Sequence, residues 1–219
     1  MRLINFNNRT YKFSDNLFII LIFVLTLSFQ TSVKTSEIKD FELEGLSVGE
    51  SLLEYFSEEN IKKELNSEFA YKYKSEFIRV GAGVGSGFIL IKDIKQYDDI
   101  GITLKLNDKK FIIYSLSGRI FCDDGIKDCF DSQKKISNDL KNFLGNTAKF
   151  ETWERVNPDD KTKKSKIFGN DFIFEKSNEV ITVSVYDYSK SYSKKTGFYS
   201  HAVIAIYSEE FNNFLNNEY

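Results

Sequence analysis

The chain is poor in the side chains that build metal and nucleophile sites. Its 219 residues contain one histidine, two cysteines, one methionine, one tryptophan and one proline. A zinc site needs more Cys and His ligands than these, and the chain lacks the Gly-Lys-Ser or Gly-Lys-Thr sequence of a phosphate-binding loop. The sequence therefore predicts no catalytic, cofactor-binding or metal-binding residues, and no cofactor.

An excess of positive charge is also absent. The chain carries 30 basic and 32 acidic side chains, for a net charge of −2. Since a sequence-independent nucleic-acid binder needs a positive field, this balance argues against nucleic acid as a partner. The length suits one domain that buries a core of its own.

One continuous apolar run, residues 17–29, follows a leader with three basic side chains and one acid. This order is typical of a secretory signal peptide. As a helix the run would reach about 20 Å, whereas the hydrocarbon core of a bilayer is about 30 Å thick. An uncleaved signal anchor stays an alternative, because Thr26 and Ser28 stand where cleavage favours alanine. The sequence thus predicts an exported protein, periplasmic or in the cell envelope, with membrane contact only through this run if it is uncleaved.

The predicted organisation has three parts. Residues 1–28 form the signal peptide or signal anchor, residues 29–39 a polar tether, and residues 40–219 a single domain with a helical preface at 47–66. Within the preface, Ser47 and Glu50 have the spacing of a capping box. Ser57 is expected to cap a second short helix.

Alternating and periodic apolar residues predict strands on both sides of one long helix. The helix is expected to begin at Asp131 or Ser132, to end at Gly145, and to pack through Ile136, Leu140, Phe143 and Leu144. The predicted strands are residues 77–80, 87–91, 102–106, 111–121, 149–153, 172–174, 180–186 and 198–207, with a short helix capped by Ser208.

This order favours an α+β fold. We expect a mainly antiparallel sheet with an N-terminal helix pair and one long helix between two sets of strands.

Cys122 and Cys129 are separated by six residues. In an oxidising compartment an even pair at this spacing favours a disulfide. Two free thiols are the main alternative, because a redox pair would prefer Cys-x-x-Cys at a helix start. We predict a disulfide that joins the end of the central hairpin to the start of the long helix.

Three other patterns have plain structural interpretations. Four glycines at positions 81, 83, 85 and 87 precede a strand-like segment, which favours a connection between strands over a phosphate loop. His201 has Ser200 as its neighbour, and successive residues of a strand point to opposite faces, so we expect a partly buried or strand-surface histidine. The acid pairs at 98–99, 123–124 and 159–160 are expected to be solvated turn acids.

The segment 186–199 is the best candidate for a contact surface. It interleaves lysines with aromatic residues that can stack on a ligand or a partner. The candidate residues are Tyr186, Tyr188, Tyr192, Phe198 and Tyr199. Amphipathic strand ends flanking a loop, here residues 187–197, would explain the same residues without a ligand.

Four segments carry a resemblance: residues 40–59, 112–118, 126–129 and 185–189. Together they resemble a group of uncharacterised secreted proteins of A+T-rich marine alphaproteobacteria, over most of the chain after the apolar run. More distantly, the Gly-Leu-Ser-Val-Gly start of the preface is similar to that of small outer-membrane assembly lipoproteins with a helix pair on an antiparallel sheet. The resemblance implies export and this fold, and it brings no activity or binding residues.

Together these features favour an exported envelope protein that acts as a non-enzymatic binding or assembly module for a protein or an envelope component. The alternatives are an envelope hydrolase with unidentified acidic catalytic residues and a membrane-anchored extracytoplasmic domain. Converging carboxylates, one with a raised pKa, would favour the hydrolase. An aromatic sheet edge would favour the binding module.

Overall fold

A computed structural model describes residues 38–83, 94, 96–122 and 125–218. They belong to one compact unit. Its strands are β1 (Glu42–Leu43), β2 (Leu46–Ser47), β3 (Tyr71–Tyr73), β4 (Phe77–Gly83), β5 (Asp99–Lys105), β6 (Ile113–Phe121), β7 (Lys149–Val156), β8 (Lys166–Phe174), β9 (Glu179–Asp187) and β10 (His201–Tyr207). Its helices are α1 (Glu58–Leu65), α2 (Ile126–Leu144), α3 (Lys190–Thr196) and α4 (Glu209–Glu218), with 3-10 turns at Ile38–Asp40 and Leu52–Glu54.

Eight strands form one antiparallel sheet in the order β3-β4-β5-β6-β10-β9-β8-β7. The sheet consists of two four-stranded meanders, β3–β6 and β7–β10, which meet where β6 pairs with β10. The helix α2 connects the two meanders. The predicted α+β fold, with a mainly antiparallel sheet and one long helix between two sets of strands, is confirmed.

The first face of the sheet carries the main core. Fully buried side chains of the central strands, among them Ile102, Leu116 and Val183, pack against α2 and against the N-terminal segment that precedes β3. Polar contacts add to this packing. The Gln133 amide on α2 donates to the backbone oxygens of Phe168 and Val183 at 2.9 and 2.8 Å. The helix is therefore held to two strands by hydrogen bonds as well as by burial.

The long helix begins earlier than the sequence indicated. It starts at Ile126, after Gly125 at φ 109°, so the predicted start at Asp131 or Ser132 is wrong. Its buried positions begin at Cys129 and recur every three or four residues, and they include the polar Gln133 and Ser137, so the buried stripe extends further toward the N-terminus than the apolar residues indicate. The predicted end at Gly145, with φ 53°, is confirmed.

One residue of the predicted buried stripe of α2, Phe143, faces solvent instead. Leu140 and Leu144 are buried, but the Phe143 side chain is 61% exposed and makes an edge contact with Phe41. A helix position three residues after Leu140 lies at the border of the buried stripe, so burial there depends on what the neighbouring segment covers.

The N-terminal preface is only partly helical. Ser57 caps α1, as predicted, by accepting from the backbone N–H of Asn60. The predicted helix at Ser47 is wrong: Ser47 ends β2, and Ser51 caps a single 3-10 turn. Gly45 and Gly49, both with positive φ, turn the chain here before a helix can form. The Glu50 carboxylate still accepts from the backbone N–H of Ser47 at 3.3 Å.

Cys122 and Cys129 form a disulfide with their Cα atoms 5.4 Å apart, as predicted. Cys122 directly follows β6, and Cys129 lies inside the first turns of α2 and is 1% exposed. The bond thus joins the first meander to the long helix. In the chain-entropy model a loop of this length stabilises the fold by about 2–3 kcal/mol.

Candidate ligand-binding face

The second face of the sheet has small and polar residues at its centre, and we call it the polar face. Gly101, Ser117, Ala205, Thr182 and Asp171 stand opposite one another on successive strands from β5 to β8. Apolar side chains occupy the corresponding positions of the first face. The small residues make a low floor on which longer side chains of the same face lie.

The next register position toward the other end of the strands is more polar. It places Asp99, Arg119, Val203, Ser184 and Gly169 in line across the same five strands. This row and the preceding one bring side chains from positions more than 80 residues apart in the chain onto one surface.

Two glycines make room for two long side chains on this face. Arg79 lies across Gly101, where any Cβ would overlap its guanidinium, and its Nη2 donates to Ser117 Oγ at 3.3 Å. Trp153 lies across Gly169 in the same way, and its indole N–H donates to Asp171 Oδ2 at 2.8 Å. Glycine within a strand often marks such a close approach.

One end of the polar face is closed by α4. The rings of Phe211 and Phe214 lie 5.1 and 5.0 Å from the ring of Phe77, which is fully buried. Tyr207, on β10, completes this aromatic cluster. Burial raises the pKa of its hydroxyl well above the usual range, so it stays protonated and can donate or accept a hydrogen bond.

The opposite end of the polar face carries most of the predicted contact residues. Tyr188 contacts the rings of Tyr192 and Phe198 at 5.2 and 6.1 Å, and the ring of Tyr186 stacks on His201 at 4.8 Å. We call these five residues the aromatic cluster of α3. The sequence predicted four of them as one contact segment, and the structure brings those four together around His201.

The cluster is partly buried and partly open. Tyr192 is 8% exposed and serves packing, whereas Phe198 is 54% exposed. Phe121, whose ring lies 6.3 Å from that of His201, is 37% exposed on the neighbouring strand. Tyr199, the fifth predicted contact residue, is 72% exposed, and its backbone oxygen contacts His201.

His201 is buried and neutral. Burial lowers its pKa to about 4, and the nearby Arg119 and Arg79 act in the same direction, although the contact with the Tyr199 carbonyl partly offsets them. Because a carbonyl only accepts, the 2.8 Å contact assigns the proton to Nδ1 and leaves a lone pair on Nε2. The partly buried histidine that the sequence predicted is buried more fully, at 7% exposure.

The segment predicted as a loop at 187–197 contains the helix α3. Ser189 caps it, and the buried Asp160 ties that cap to the preceding loop by accepting from Ser165 Oγ at 2.7 Å and Ser189 Oγ at 3.3 Å. The hydrogen bonds from Ser165 and Thr162 hold the pKa of Asp160 well below its usual range. Asp160 is therefore not the solvated turn acid that the sequence suggested, since it fixes the start of α3 under the aromatic cluster.

Asp99 also departs from the turn-acid expectation. It lies in β5 and pairs with Arg119, whose Nη1 is 3.4 Å from Asp99 Oδ2. Burial raises the pKa of Asp99 and lowers that of Arg119, while each partner counteracts the shift of the other. Arg119 also lies over the ring of Phe121, at 6.0 Å. The ion pair therefore borders the aromatic cluster of α3.

A second carboxylate on the polar face has a raised pKa, but it is remote. Burial raises the pKa of Asp171, against the hydrogen bonds from Thr182 and Trp153. Asp99 and Asp171 are four strand spacings apart, about 19 Å at 4.8 Å per spacing. Glycosidase carboxylates stand roughly 5–9.5 Å apart, so these two acids do not form such a pair.

One serine pattern in the sequence was missed. Residues 45–49 match Gly-x-Ser-x-Gly, the sequence of a nucleophile turn. Ser47 is 4% exposed in β2 and belongs to the N-terminal layer on the first face, so the sheet separates it from His201. The pattern here serves a turn between short strands.

The remaining candidates give no further site. The glycines at 85 and 87 and the acids at 123–124 lie outside the described residues, as does the apolar run at 17–29. Among the residues that the structure describes, no three His, Cys, Asp or Glu side chains are grouped to hold a metal ion. Within the same ranges, no helix has the length and apolar character to cross a bilayer.

Comparisons of the chain with models of protein families, with curated proteins and with solved structures find no match.

Proposed function

We propose that the protein is exported and binds a component of the cell envelope through the polar face, as a non-enzymatic module. The observation that carries this proposal is the aromatic cluster of α3, which exposes the ring of Phe198, together with the partly exposed ring of Phe121 beside Arg119. Exposed aromatic rings next to a planar guanidinium are typical of recognition surfaces.

Two further observations support the proposal. The disulfide suits an oxidising compartment, in agreement with the signal-like run at 17–29. The raised-pKa acids Asp99 and Asp171 stand too far apart to act as an acid–base pair of a glycosidase, which favours a binding module over a hydrolase.

Export is tested by intact-mass measurement of the protein recovered from cells that produce it. We expect a product that begins near Phe29, in the soluble periplasmic fraction, because the apolar run is short for a membrane span. A product that retains Met1 in the membrane pellet would replace this proposal with a membrane-anchored extracytoplasmic domain.

Envelope binding is tested by sedimentation of the purified protein with washed inner membrane, outer membrane and peptidoglycan. We expect the wild type to sediment with one of these fractions, and the Phe198→Ala variant to do so at least fivefold less, because the exposed ring is the accessible part of the cluster.

The Phe69→Ala variant is a matched control for this experiment. Phe69 is 53% exposed, against 54% for Phe198, and lies before β3, away from α3. The proposal fails if the wild type sediments with none of the fractions, or if both variants sediment as the wild type does.

A further inference from the structure

The ion pair on the polar face has two atoms without partners. Asp99 Oδ1 and Arg119 Nε are buried, and neither has a hydrogen-bond partner within the part of the chain that the structure describes. A buried polar atom left unpaired is costly, and native proteins seldom tolerate it without a reason. One orphan is an acceptor and the other a donor, and they belong to cross-strand neighbours.

The pair is also loosely joined. Its N–O distance of 3.4 Å exceeds the roughly 2.7–2.9 Å of a charge-assisted hydrogen bond. The Asp99 and Arg119 side chains are 18% and 29% exposed, so the pair borders solvent even though the two orphan atoms do not. Because the two orphan atoms are buried, a ligand reaches them only after one of these side chains rotates.

The two unpaired atoms, Asp99 Oδ1 and Arg119 Nε, indicate which class of ligand fits here. A carboxylate or phosphate would meet the negative charge of Asp99, and an ammonium group would meet Arg119. A hydroxyl group fits both partners, because it donates one hydrogen bond and accepts others. Neighbouring hydroxyls on one rigid ring satisfy both orphans at once.

Aromatic rings beside the ion pair provide an apolar surface for the same ligand. The Phe121 ring, partly exposed, lies 6.0 Å from the guanidinium carbon of Arg119. Tyr186 lies on the same face, where its ring stacks on His201, the residue opposite Phe121 in the sheet. A sugar ring has hydroxyls at its rim and C–H groups on its faces, so it can bond the ion pair while one face rests on an aromatic ring.

We propose that the polar face binds a neutral saccharide, with its hydroxyls on Asp99 and Arg119 and one face of the sugar on Phe121. This inference rests on the proposed envelope-binding function and assigns the chemical class of the ligand.

The test is binding of the purified protein to an array of neutral and acidic glycans, followed by calorimetric titration with the strongest neutral binder, using inorganic phosphate as the anionic probe. We expect the wild type to bind neutral glycans and not to bind phosphate. In Asp99→Asn the charge-assisted bond is lost, and affinity for the neutral glycan should fall about tenfold. Phe121→Leu, which keeps an apolar side chain but removes the ring, should weaken binding similarly.

The sign of the Asp99→Asn effect separates the alternatives. An anion held by Arg119 and Arg79 would bind more tightly once Asp99 is neutral, and that result would overturn the inference. Glu151→Gln makes the same charge change on the outer strand of the same face, and it should leave affinity within twofold. Thermal melting of each variant shows that it is folded.

The absence of any neutral-glycan binding by the wild type also overturns the inference. That outcome leaves the sedimentation experiment to decide the proposed function, since the protein would still sediment with an envelope fraction if its partner there were a protein or a lipid.

Discussion

Replacing Phe77 by alanine is expected to lower the free energy of unfolding by about 3–5 kcal/mol. Phe77 is fully buried at the start of β4, and its ring contacts those of Tyr114, Phe211 and Phe214 at 5.0–5.4 Å. The substitution removes the ring on which α4 rests, and a cavity remains because the helix cannot collapse fully onto the sheet.

Urea denaturation monitored by circular dichroism measures the loss, and hydrogen exchange locates it. The amides of α4 should exchange faster in the variant than those of α2, which packs on the other face of the sheet. Phe69→Ala, at an exposed phenylalanine, should change stability by no more than roughly 0.5 kcal/mol. A Phe77→Ala loss below about 1 kcal/mol would contradict this account of how α4 is held.

Features of this fold that depend on neighbouring residues could be predicted from the sequence. Ser57 and Ser208 cap helices as expected, because each cap is a contact between residues three positions apart. The hairpin of β5 and β6 and the helix end at Gly145, where φ is positive, follow from short-range patterns in the same way.

The errors have a common physical origin in distant contacts. The start of α3 depends on the hydrogen bond from Ser189 to Asp160, which is 29 residues away in the chain. The local sequence around Ser189 does not predict this bond. The exposure of Phe143 depends on where the N-terminal segment runs. The helix start at Ile126 could not be predicted from the sequence, because Gly125 has no side chain that could cap the helix.

The polar face was missed for a related reason. The aromatic residues 186–198 are close in sequence and could be recognised as one contact segment, whereas Arg79, Asp99 and Arg119 come together only through the register of three strands. Gly101 and Gly169 are the residues from which this face could have been predicted. Glycine inside a strand often indicates that a larger side chain packs directly against the backbone there.

The second large effect is loss of stability on mild acidification, caused by His201. Its pKa is about 4 in the folded protein, whereas an unperturbed histidine titrates near 6.5. Between these values the unfolded chain binds a proton that the folded chain does not, so stability falls as the pH falls. The loss begins below about pH 7 and reaches roughly 3 kcal/mol near pH 4.

The matched variant is His201→Asn, whose side-chain amide can keep the hydrogen bond to the Tyr199 carbonyl but does not titrate. The variant should be less stable than the wild type at pH 7.5, because it loses the stack on Tyr186. Its stability should nevertheless fall less between pH 7 and pH 4.5. Urea midpoints measured at half-unit pH steps give both curves, and the difference in their slopes is the quantity that isolates the histidine.

Titration of the carboxylates does not affect the comparison between the wild type and His201→Asn. Asp160, with its strongly lowered pKa, stabilises the folded state at neutral pH and loses that effect only as the unfolded carboxyl takes up a proton, near pH 4 and below. That loss occurs equally in wild type and variant, so it cancels in the difference. Parallel curves from pH 7 to pH 4.5 would show that His201 is protonated as readily in the folded protein as in the unfolded chain. In that case the aromatic cluster of α3 would be open to water at its centre, and the neutral Nε2 lone pair assigned here would not exist at mildly acidic pH.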